Sequence, residues 1–219
     1  MTGRVNRQPR GYDGSRRRAA AEARRNEIFD AAFTLFVERG YAATTMAAIA
    51  ERAGVAVDTV YASAGTKPAL LMALNDLAVT GSTTTSTATI DDADFVRAIT
   101  AEPDAARKLE RYAEAVARIR PRQVPLYLVV REAAVADPEI ATHWAEGTER
   151  RARNLGRFAD QLAATGRLRP GLDAETVRDI VWATSSPEMW VQLVNERGWT
   201  AEHFSRWLAD TWITTLLMR

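Results

Sequence analysis

Arginine is the residue type with the clearest chemical bias in this sequence, because it is concentrated at one end. Residues 1–25 contain eight arginines and two carboxylates, whereas the remaining residues contain 21 basic and 26 acidic side chains. A basic end on an acidic body favours a polyanion as the partner of that end. We predict a flexible arm over residues 1–14, for which a simple solvated tail is the alternative. We expect Arg16, Arg17 and Arg18 to make salt-dependent contacts with phosphate groups.

Residues that could catalyse a reaction are scarce in this chain. There is no cysteine, and the two histidines, His143 and His203, lie far apart in the sequence. Neither a glycine-rich phosphate loop nor a G-x-S-x-G nucleophile motif occurs. We therefore predict no catalytic residue, no metal site and no cofactor, and we expect the protein not to be an enzyme. The lack of cysteine fits a cytoplasmic protein, and no apolar window is long enough to predict a membrane span.

Three helices are predicted between residues 28 and 71, and the last two of them are short. The first carries an apolar stripe at helical spacing and is predicted to end at Gly40. The second is predicted over Met46–Ala53, and the third begins near Asp58, whose carboxylate suits the N–H groups of a first turn. A tight turn at Gly54 between them is the layout of a helix-turn-helix, whose second helix enters the DNA major groove. An ordinary helical corner within a core is the alternative.

The same stretch resembles the N-terminal domain of the TetR family of transcriptional regulators. Two positions depart from the usual family pattern, because Ala64 stands where an aromatic residue is common and Ala56-Val57 stands where Ser-Lys is frequent. The recognition helix therefore carries no arginine or lysine before Lys67. The motifs that carry the resemblance occur together in the family's order, and they are Phe36-x-x-x-Gly40-Tyr41, Thr44-Thr45-Met46, Ile49-Ala50-x-x-Ala53-Gly54-Val55, Thr59-Val60-Tyr61, Lys67 and Leu70.

The resemblance implies a set of DNA contacts. Some residues are expected to hold the DNA backbone, with Lys67 on a phosphate, and the exposed face of the recognition helix is expected to meet the bases. Asp58 could accept a hydrogen bond from cytosine, although helix capping is its expected role. Because these side chains offer little direct readout, we expect DNA shape to contribute to specificity. The expected backbone contacts are Arg16, Arg17, Arg18, Thr44, Thr45, Tyr61 and Lys67, and the expected base contacts are Val57, Thr59 and Ala62.

No strand pattern occurs in the sequence, so the predicted fold class is all-α. We predict a basic arm and a three-helix, helix-turn-helix DNA-binding domain over residues 1–66. A helical bundle for ligand binding and dimerisation is predicted over residues 67–219. Within this bundle, the sixth helix is predicted to end at Pro121 with a seventh beginning directly after it. The ninth is expected to kink at Pro187, and Thr200 is expected to cap the last helix.

The resemblance further implies a small-molecule pocket in the bundle, between the fifth and eighth helices. The candidate lining residues are apolar or aromatic, which favours an apolar or aromatic effector, with ordinary core packing as the alternative for each. Five of the six tryptophans lie in the last two predicted helices, which indicates an interface or a core. Family members pair through these helices, so we expect a homodimer that contacts no membrane. The candidate pocket residues are Tyr112, Val116, Tyr127, Leu128, Trp144, Phe158 and Trp182.

The sequence therefore predicts a transcriptional regulator with double-stranded DNA and a small effector as partners. The expected mechanism is repression, in which a homodimer binds a palindromic operator and the effector releases it. Two alternatives remain open. One is a dimeric helix-turn-helix regulator without a small-molecule ligand, and the other is an all-α ligand-binding or catalytic protein whose helix-turn-helix no longer reads DNA.

Overall fold

The computed structural model describes residues 14–80 and 94–218. Within these two ranges the chain forms ten α-helices and one short π-helical segment, and it contains no strand. A single isolated antiparallel bridge joins Leu168 to Leu217. The all-α fold class predicted from the sequence is therefore confirmed. Most of the predicted N-terminal arm, and most of the polar segment before the fifth helix, lies outside the described residues.

The helices are joined by short turns wherever both ends of the connection are described. Gly40, with a φ of 76°, interrupts the regular backbone near the end of the first helix, and this left-handed conformation explains why glycine is needed there. In chain order the helices are α1 (Gly14–Ala43), α2 (Met46–Ala53), α3 (Val57–Ala64), α4 (Lys67–Thr80), α5 (Asp94–Ala101), α6 (Ala105–Ala133), α7 (Pro138–Ala163), α8 (Ala174–Thr184), α9 (Pro187–Trp190) and α10 (Ala201–Leu216), with the π-helical segment Val191–Glu196 directly after α9.

Two apolar cores hold these helices together. The first lies within α1–α4, which we call the head, and it includes Phe36 and Ile49, neither of which is exposed to solvent. The second lies within α5–α10, which we call the body, and it includes Leu109 and Trp212, which are also fully buried. Apolar burial of this kind is the main favourable term in folding, so each core stabilises its own set of helices.

Helix α6 contributes to both cores and joins them. Val124 packs in the core of the body, whereas Leu126 and Val130 pack in the core of the head. The prediction that this helix ends at Pro121 is wrong, because α6 continues through Pro121 and Pro125 without a break. A proline inside a helix costs about 3 kcal/mol, but burying one large apolar side chain is worth about 1.5–3 kcal/mol. The buried residues on both sides of the prolines therefore outweigh their cost.

The connection from α8 to α10 is more broken than the sequence indicated. The kink predicted at Pro187 is a complete interruption, after which Ser186 caps α9 by accepting a hydrogen bond from the Met189 N–H at 3.1 Å. The predicted cap at Thr200 is confirmed, since its Oγ1 accepts a hydrogen bond from the His203 N–H at 3.1 Å. These caps satisfy N–H groups that have no partner inside the helix.

The first three leucines of α4 pack with the helix-turn-helix rather than with the body. Leu70, Leu71 and Leu74 are at most 3% exposed and lie in the core of the head. The domain division at residues 66 and 67 stays a prediction, and the packing of α4 alone does not mark it. No helix in the described part of the chain combines the length and the hydropathy that a membrane crossing requires.

Candidate nucleic-acid interface and effector site

Local backbone rules build the turn between α2 and α3. Thr45 caps α2, because its Oγ1 accepts a hydrogen bond from the Ala48 N–H at 3.1 Å. Gly54 ends α2 with a φ of 65° and donates its N–H to the carbonyls of that helix's last turn. Ala50 is 2% exposed just before this turn, and Val60 of α3 is fully buried. The small residue, the glycine turn and the buried valine fix α3 on the head as in a helix-turn-helix.

The outward face of α3 is exposed and chemically mild. Val57 is 37% exposed and Tyr61 is 50% exposed, while Asp58 and Ala62 are also exposed and Thr59 is partly buried. The one formal charge on α3 is the negative charge of Asp58. The fold thus presents the predicted base-facing positions and Tyr61 on the helix that would enter a groove, but it offers no cation there.

The capping role predicted for Asp58 is wrong. Ala56 occupies the N-cap position of α3, and no side chain accepts a hydrogen bond at that end. Asp58 lies in the first turn of the helix instead. A carboxylate there still interacts favourably with the positive end of the helix dipole, which is a weaker effect than a capping hydrogen bond.

Thr44 is a predicted DNA contact, and in the structure it is enclosed within the head. Its side chain is fully buried. The Oγ1 donates to the carbonyls of Leu35 at 3.1 Å and Gly40 at 2.8 Å. Thr44 therefore closes the end of α1 from the inside, and Thr45 is the threonine that the head leaves exposed.

Lys67, which is predicted to hold a DNA phosphate, makes contacts inside the head. Its Nζ donates hydrogen bonds of 3.0 Å to the carbonyls of Tyr41 and Thr44. The same ammonium lies 4.0 Å from the centroid of the Tyr41 ring, within the range of a cation–π contact. Two of its three N–H donors are thus used inside the head, where they tie the start of α4 to the turn after α1.

The N-terminal end of α1 projects beyond the packed part of the head. Residues 15–24 are all exposed, and the buried stripe of the helix begins only at Ile28. At 1.5 Å per residue, the stretch from Arg16 to Ile28 spans about 18 Å. Arg16, Arg17 and Arg18 lie in this projecting segment, so their charges are separated from the acidic body of the protein.

A hydrogen bond joins the head directly to the body. The Tyr41 hydroxyl donates to Asp137 Oδ2 at 2.8 Å. Asp137 also caps α7, because its Oδ1 accepts from the Glu139 N–H at 3.0 Å and from the Ile140 N–H at 3.3 Å. The Tyr41 hydroxyl and the capping N–H groups lower the pKa of Asp137, whereas partial burial and the bond to Asp137 raise the pKa of Tyr41.

Two arginines of the body contact α4, the last helix of the head. Arg122 of α6 donates through its Nε to the Ala78 carbonyl near the end of α4. Arg150 of α7 forms a 3.3 Å ion pair with Asp76. Movements of α6 or α7 therefore reach the head at α4 as well as at Tyr41.

A cavity of about 340 Å³ opens between α5, α6 and α7. Two residues predicted to line a pocket are found there, Tyr112 and Phe158, and their rings pack with centroids 4.7 Å apart. The cavity has an apolar floor and a polar rim, so it offers more polar groups than the sequence indicated. The full lining is Phe95, Val96, Ile99, Thr100, Tyr112, Asn154, Arg157, Phe158 and Gln161.

The other predicted pocket residues lie elsewhere in the body. Val116 is buried and Leu128 packs against the core of the body. The rings of Tyr127 and Trp144 pack at a tilt of 47° with centroids 5.0 Å apart, and the Tyr127 hydroxyl donates to Glu188. Sequence reasoning could identify these residues as apolar and helical, but their neighbours depend on the packing of distant helices.

Two arginines that the sequence analysis did not single out meet inside the body. Arg120 of α6 donates to the Ser185 carbonyl, and Arg151 of α7 donates to Ser185 Oγ at 3.1 Å. Arg151 also donates to the Trp182 carbonyl at 2.7 Å and lies 4.1 Å from the Trp182 ring centroid. We call Arg120 and Arg151 the paired arginines.

Burial and mutual repulsion make the paired arginines electrostatically unfavourable. Arg120 is only 7% exposed, and burial together with the charge of Arg151 lowers its pKa to about 10. Burial lowers the pKa of Arg151 as well. The negative charge of Glu188 raises the pKa of both guanidinium groups. Uncompensated positive charge inside a protein is costly unless an anion balances it.

The tryptophans of the last helices divide between core and surface. Trp190 is 3% exposed and Trp212 is fully buried, so both are internal core residues. Trp199 and Trp207 are partly exposed and pack edge to face with centroids 5.8 Å apart. The ring of the exposed His203 stacks on Trp199. This aromatic patch lies at the start of α10.

Comparison with known proteins identifies the head. Residues 28–74 match the sequence profile described as bacterial regulatory proteins, tetR family. This segment is a TetR-family DNA-binding domain. The resemblance derived from the sequence motifs is therefore confirmed over these residues, which include α2, α3 and the packed parts of α1 and α4. No curated protein matches the chain at a significant level.

Several solved structures share the fold of the whole chain. NalD of Pseudomonas aeruginosa, the secondary repressor of the MexAB-OprM multidrug efflux pump, is 18% identical with a TM-score of 0.67, covering 91% of this chain and 98% of NalD. FadR of Bacillus subtilis, solved with stearoyl-CoA, is 19% identical with a TM-score of 0.66, covering 84% and 95%. The MbdR regulator of Azoarcus sp. CIB is 20% identical with a TM-score of 0.65, covering 88% and 98%.

Proposed function

We propose that this protein is a ligand-responsive transcriptional repressor that binds a palindromic DNA operator as a homodimer. The observation that carries the proposal is the exposed α3 face on a TetR-family helix-turn-helix, next to a projecting basic segment of α1. The shared fold with NalD, which is named as a repressor, favours repression as the regulatory effect. The activity is binding rather than catalysis, and a DNA partner implies the cytoplasm in a bacterium.

The DNA interface combines weak base readout with strong backbone attraction. Val57 and Ala62 can contact thymine methyl groups, and Thr59 can donate or accept a hydrogen bond. Tyr61 is placed to hold the DNA backbone. Because α3 carries no cation, the electrostatic attraction to DNA phosphates must come mainly from the α1 segment. Sequence-dependent DNA shape contributes to specificity.

Dimerisation follows from the geometry that an operator requires. Two recognition helices read a palindrome when they lie about 34 Å apart, which is one turn of DNA. We propose that α8 and α10 form the interface, and the partly exposed Trp199 and Trp207 support this because aromatic residues are enriched at interfaces. Two-fold symmetry would bring the same patch of each subunit together.

The effector binds the body and alters the spacing of the two heads. The cavity beside Tyr112 adjoins α6, and α6 runs on into the core of the head. A ligand shifts the equilibrium between DNA-binding and released states only by its difference in affinity for them. The contacts that can transmit this difference are the α6 packing and the hydrogen bond from Tyr41 to Asp137.

Selection of random duplex DNA by the full-length protein tests the proposal. We expect enrichment of two inverted half-sites about one DNA turn apart. An Ala62→Glu variant adds a negative charge to the outward face of α3 and should abolish enrichment. Ala145→Glu adds the same charge to an exposed position of α7 and should leave the selected site unchanged.

The outcome of this selection also separates the alternative functions. Retention of DNA without a common sequence, or equal effects of the two variants, would contradict operator reading by α3. A ligand-binding protein whose head no longer reads DNA would then be the better account. A palindrome that no effector releases would instead support a regulator without a small-molecule ligand.

A further inference from the structure

Two guanidinium groups converge inside the body without a matching number of carboxylates. The paired arginines both hydrogen-bond to Ser185, one to its carbonyl and the other to its Oγ, so the two groups lie within a few ångströms of the same residue. In the described part of the chain, Glu188 is the carboxylate that acts on both of them. Arg131 shares it through a 3.4 Å ion pair. Three arginines thus face one carboxylate.

One polar atom of this cluster has no protein acceptor. The Nε of Arg120 is enclosed and makes no hydrogen bond within the described residues. Burying a donor without an acceptor is costly, and the cost is greater when the group is charged. Proteins retain such arrangements when they serve a function that packing alone does not explain. An acceptor with negative charge would satisfy the free N–H and balance the excess of positive charge.

The cluster adjoins the cavity through Tyr112. Its ring lines the cavity, and burial raises the pKa of its hydroxyl while the charges of Arg151 and Arg120 lower it. On α7, Asn154 and Phe158 line the cavity, and Arg151 lies on the same helical face one turn earlier. The cavity itself is lined by no carboxylate, and its one charged residue is Arg157. The cavity and the paired arginines therefore have Tyr112 as a common neighbour.

We propose that the effector is an organic oxyanion whose carboxylate or phosphate group binds the paired arginines and whose apolar part occupies the cavity beside Tyr112. Guanidinium groups suit this role, because their fork of N–H donors matches the geometry of both oxyanions. The inference depends on the proposed function, since it names the ligand class to which the body responds. It changes the expected effector from an apolar or aromatic molecule to an amphipathic anion.

Head-group selectivity of the wild-type protein is the first test. Octanoate, octan-1-ol and octylammonium share one apolar chain and differ in charge, and octyl phosphate adds the second oxyanion. Binding is measured by calorimetry and by thermal shift on the full-length protein without DNA. We expect at least one of the two anions to raise the melting temperature and to bind at least tenfold more tightly than the alcohol, while the ammonium compound does not bind.

Variants of Arg151 localise the anion. Arg151→Gln removes the charge and should weaken anion binding about ten- to a hundredfold, the effect of losing a hydrogen-bonded charge. Arg151→Lys keeps the charge and should retain part of the affinity. Arg153→Gln is the matched control, because Arg153 is exposed on the same helix, and it should bind as the wild type does. Circular dichroism confirms that each variant is folded.

Three results would overturn the inference. They are equal binding of the alcohol and the anions, unchanged anion binding in Arg151→Gln, and no binding of either anion at millimolar concentration. Each is distinct from a failure of the proposed function, because these measurements contain no DNA. Operator selection can succeed when no anion binds, and an anion can bind when no operator is found.

Discussion

Replacing Arg16, Arg17 and Arg18 together by glutamine should lower the salt dependence of operator binding more than its sequence preference. All three side chains are exposed on the segment of α1 that projects from the head. The recognition helix α3 contributes Asp58 but no cation, and the Lys67 ammonium is engaged inside the head. The main source of phosphate contacts in the described head is therefore this short segment.

The size of the effect follows from counterion release. Each neutralised phosphate contributes about −0.9 to the slope of the logarithm of the binding constant against the logarithm of salt concentration. A dimer presents six of these arginines, so the triple variant should lose up to about 5 from the slope. Between 50 and 200 mM salt, the wild type would then lose on the order of a thousandfold more affinity than the variant.

Fluorescence anisotropy with the selected operator at 50, 100 and 200 mM salt measures these slopes. The control carries glutamine at Arg107, Arg118 and Arg153, which are exposed arginines of the body, and it changes the net charge equally. We expect the control to keep the wild-type slope within about one unit. A triple variant whose slope equals that of the control would refute the assignment of the phosphate contacts to α1.

Three further predictions concern the inside of the head. Thr44→Val removes a buried donor from two carbonyls and should lower the free energy of unfolding by about 1–3 kcal/mol. Urea denaturation measures this change, and unchanged stability would contradict the structural role of Thr44 at the end of α1. Lys67→Met should lower the free energy of unfolding by a similar amount without changing the salt slope. A loss of about two from the slope would instead show that Lys67 contacts a phosphate. Tyr41→Phe should destabilise the fold at pH 7, because the hydroxyl lowers the pKa of Asp137. This contribution is complete above about pH 4 and is lost as pH falls through the lowered pKa, so the unfolding midpoints of variant and wild type should converge once the pH is below that pKa.

The parts of the fold that obey local rules were predictable from the sequence. Thr200 caps the last helix as predicted, and Thr45 caps α2 in the same way, because a threonine Oγ1 reaches the N–H group three residues ahead of it. Gly40 and Gly54 adopt positive φ values at helix ends, where other residues would be strained. These signals involve neighbours within one helical turn, so no knowledge of the tertiary structure is needed to read them.

The contacts that sequence reasoning missed depend on residues distant in sequence. The Lys67 ammonium finds its acceptors 23 and 26 residues earlier in the chain, and only packing of α4 against the turn after α1 brings them together. Lys108, the chain's other lysine, is likewise internal, with its Nζ on the carbonyls of Ile99 and Thr100. Pro121 was a reasonable helix end by local rules, but burial of α6 in two cores overrides them.

The paired arginines were missed for the same reason. Arg120 and Arg151 lie on different helices and meet at Ser185, which is 65 residues from the first and 34 from the second. In the sequence each resembles an ordinary solvated arginine of a helical surface. Their significance depends on burial and on the shortage of carboxylates around them, and neither property has a pattern in the sequence.

The position of Arg120 on α6 also connects the effector site with the core of the head along a single helix. Arg120 and Leu126 are six residues apart, so about 9 Å of helix separates the anion site from the core of the head. Leu126→Ala should therefore reduce the effect of the effector on operator affinity more than it reduces the affinity for the effector itself. This difference is a loss of coupling free energy between the two sites. Leu109→Ala is the matched control, since this leucine is equally buried on α6 but packs only in the body. Comparable loss of coupling in both variants would contradict a signal carried by the packing of Leu126. The routes left would be the contacts of Arg122 and Arg150 with α4 and the hydrogen bond between Tyr41 and Asp137.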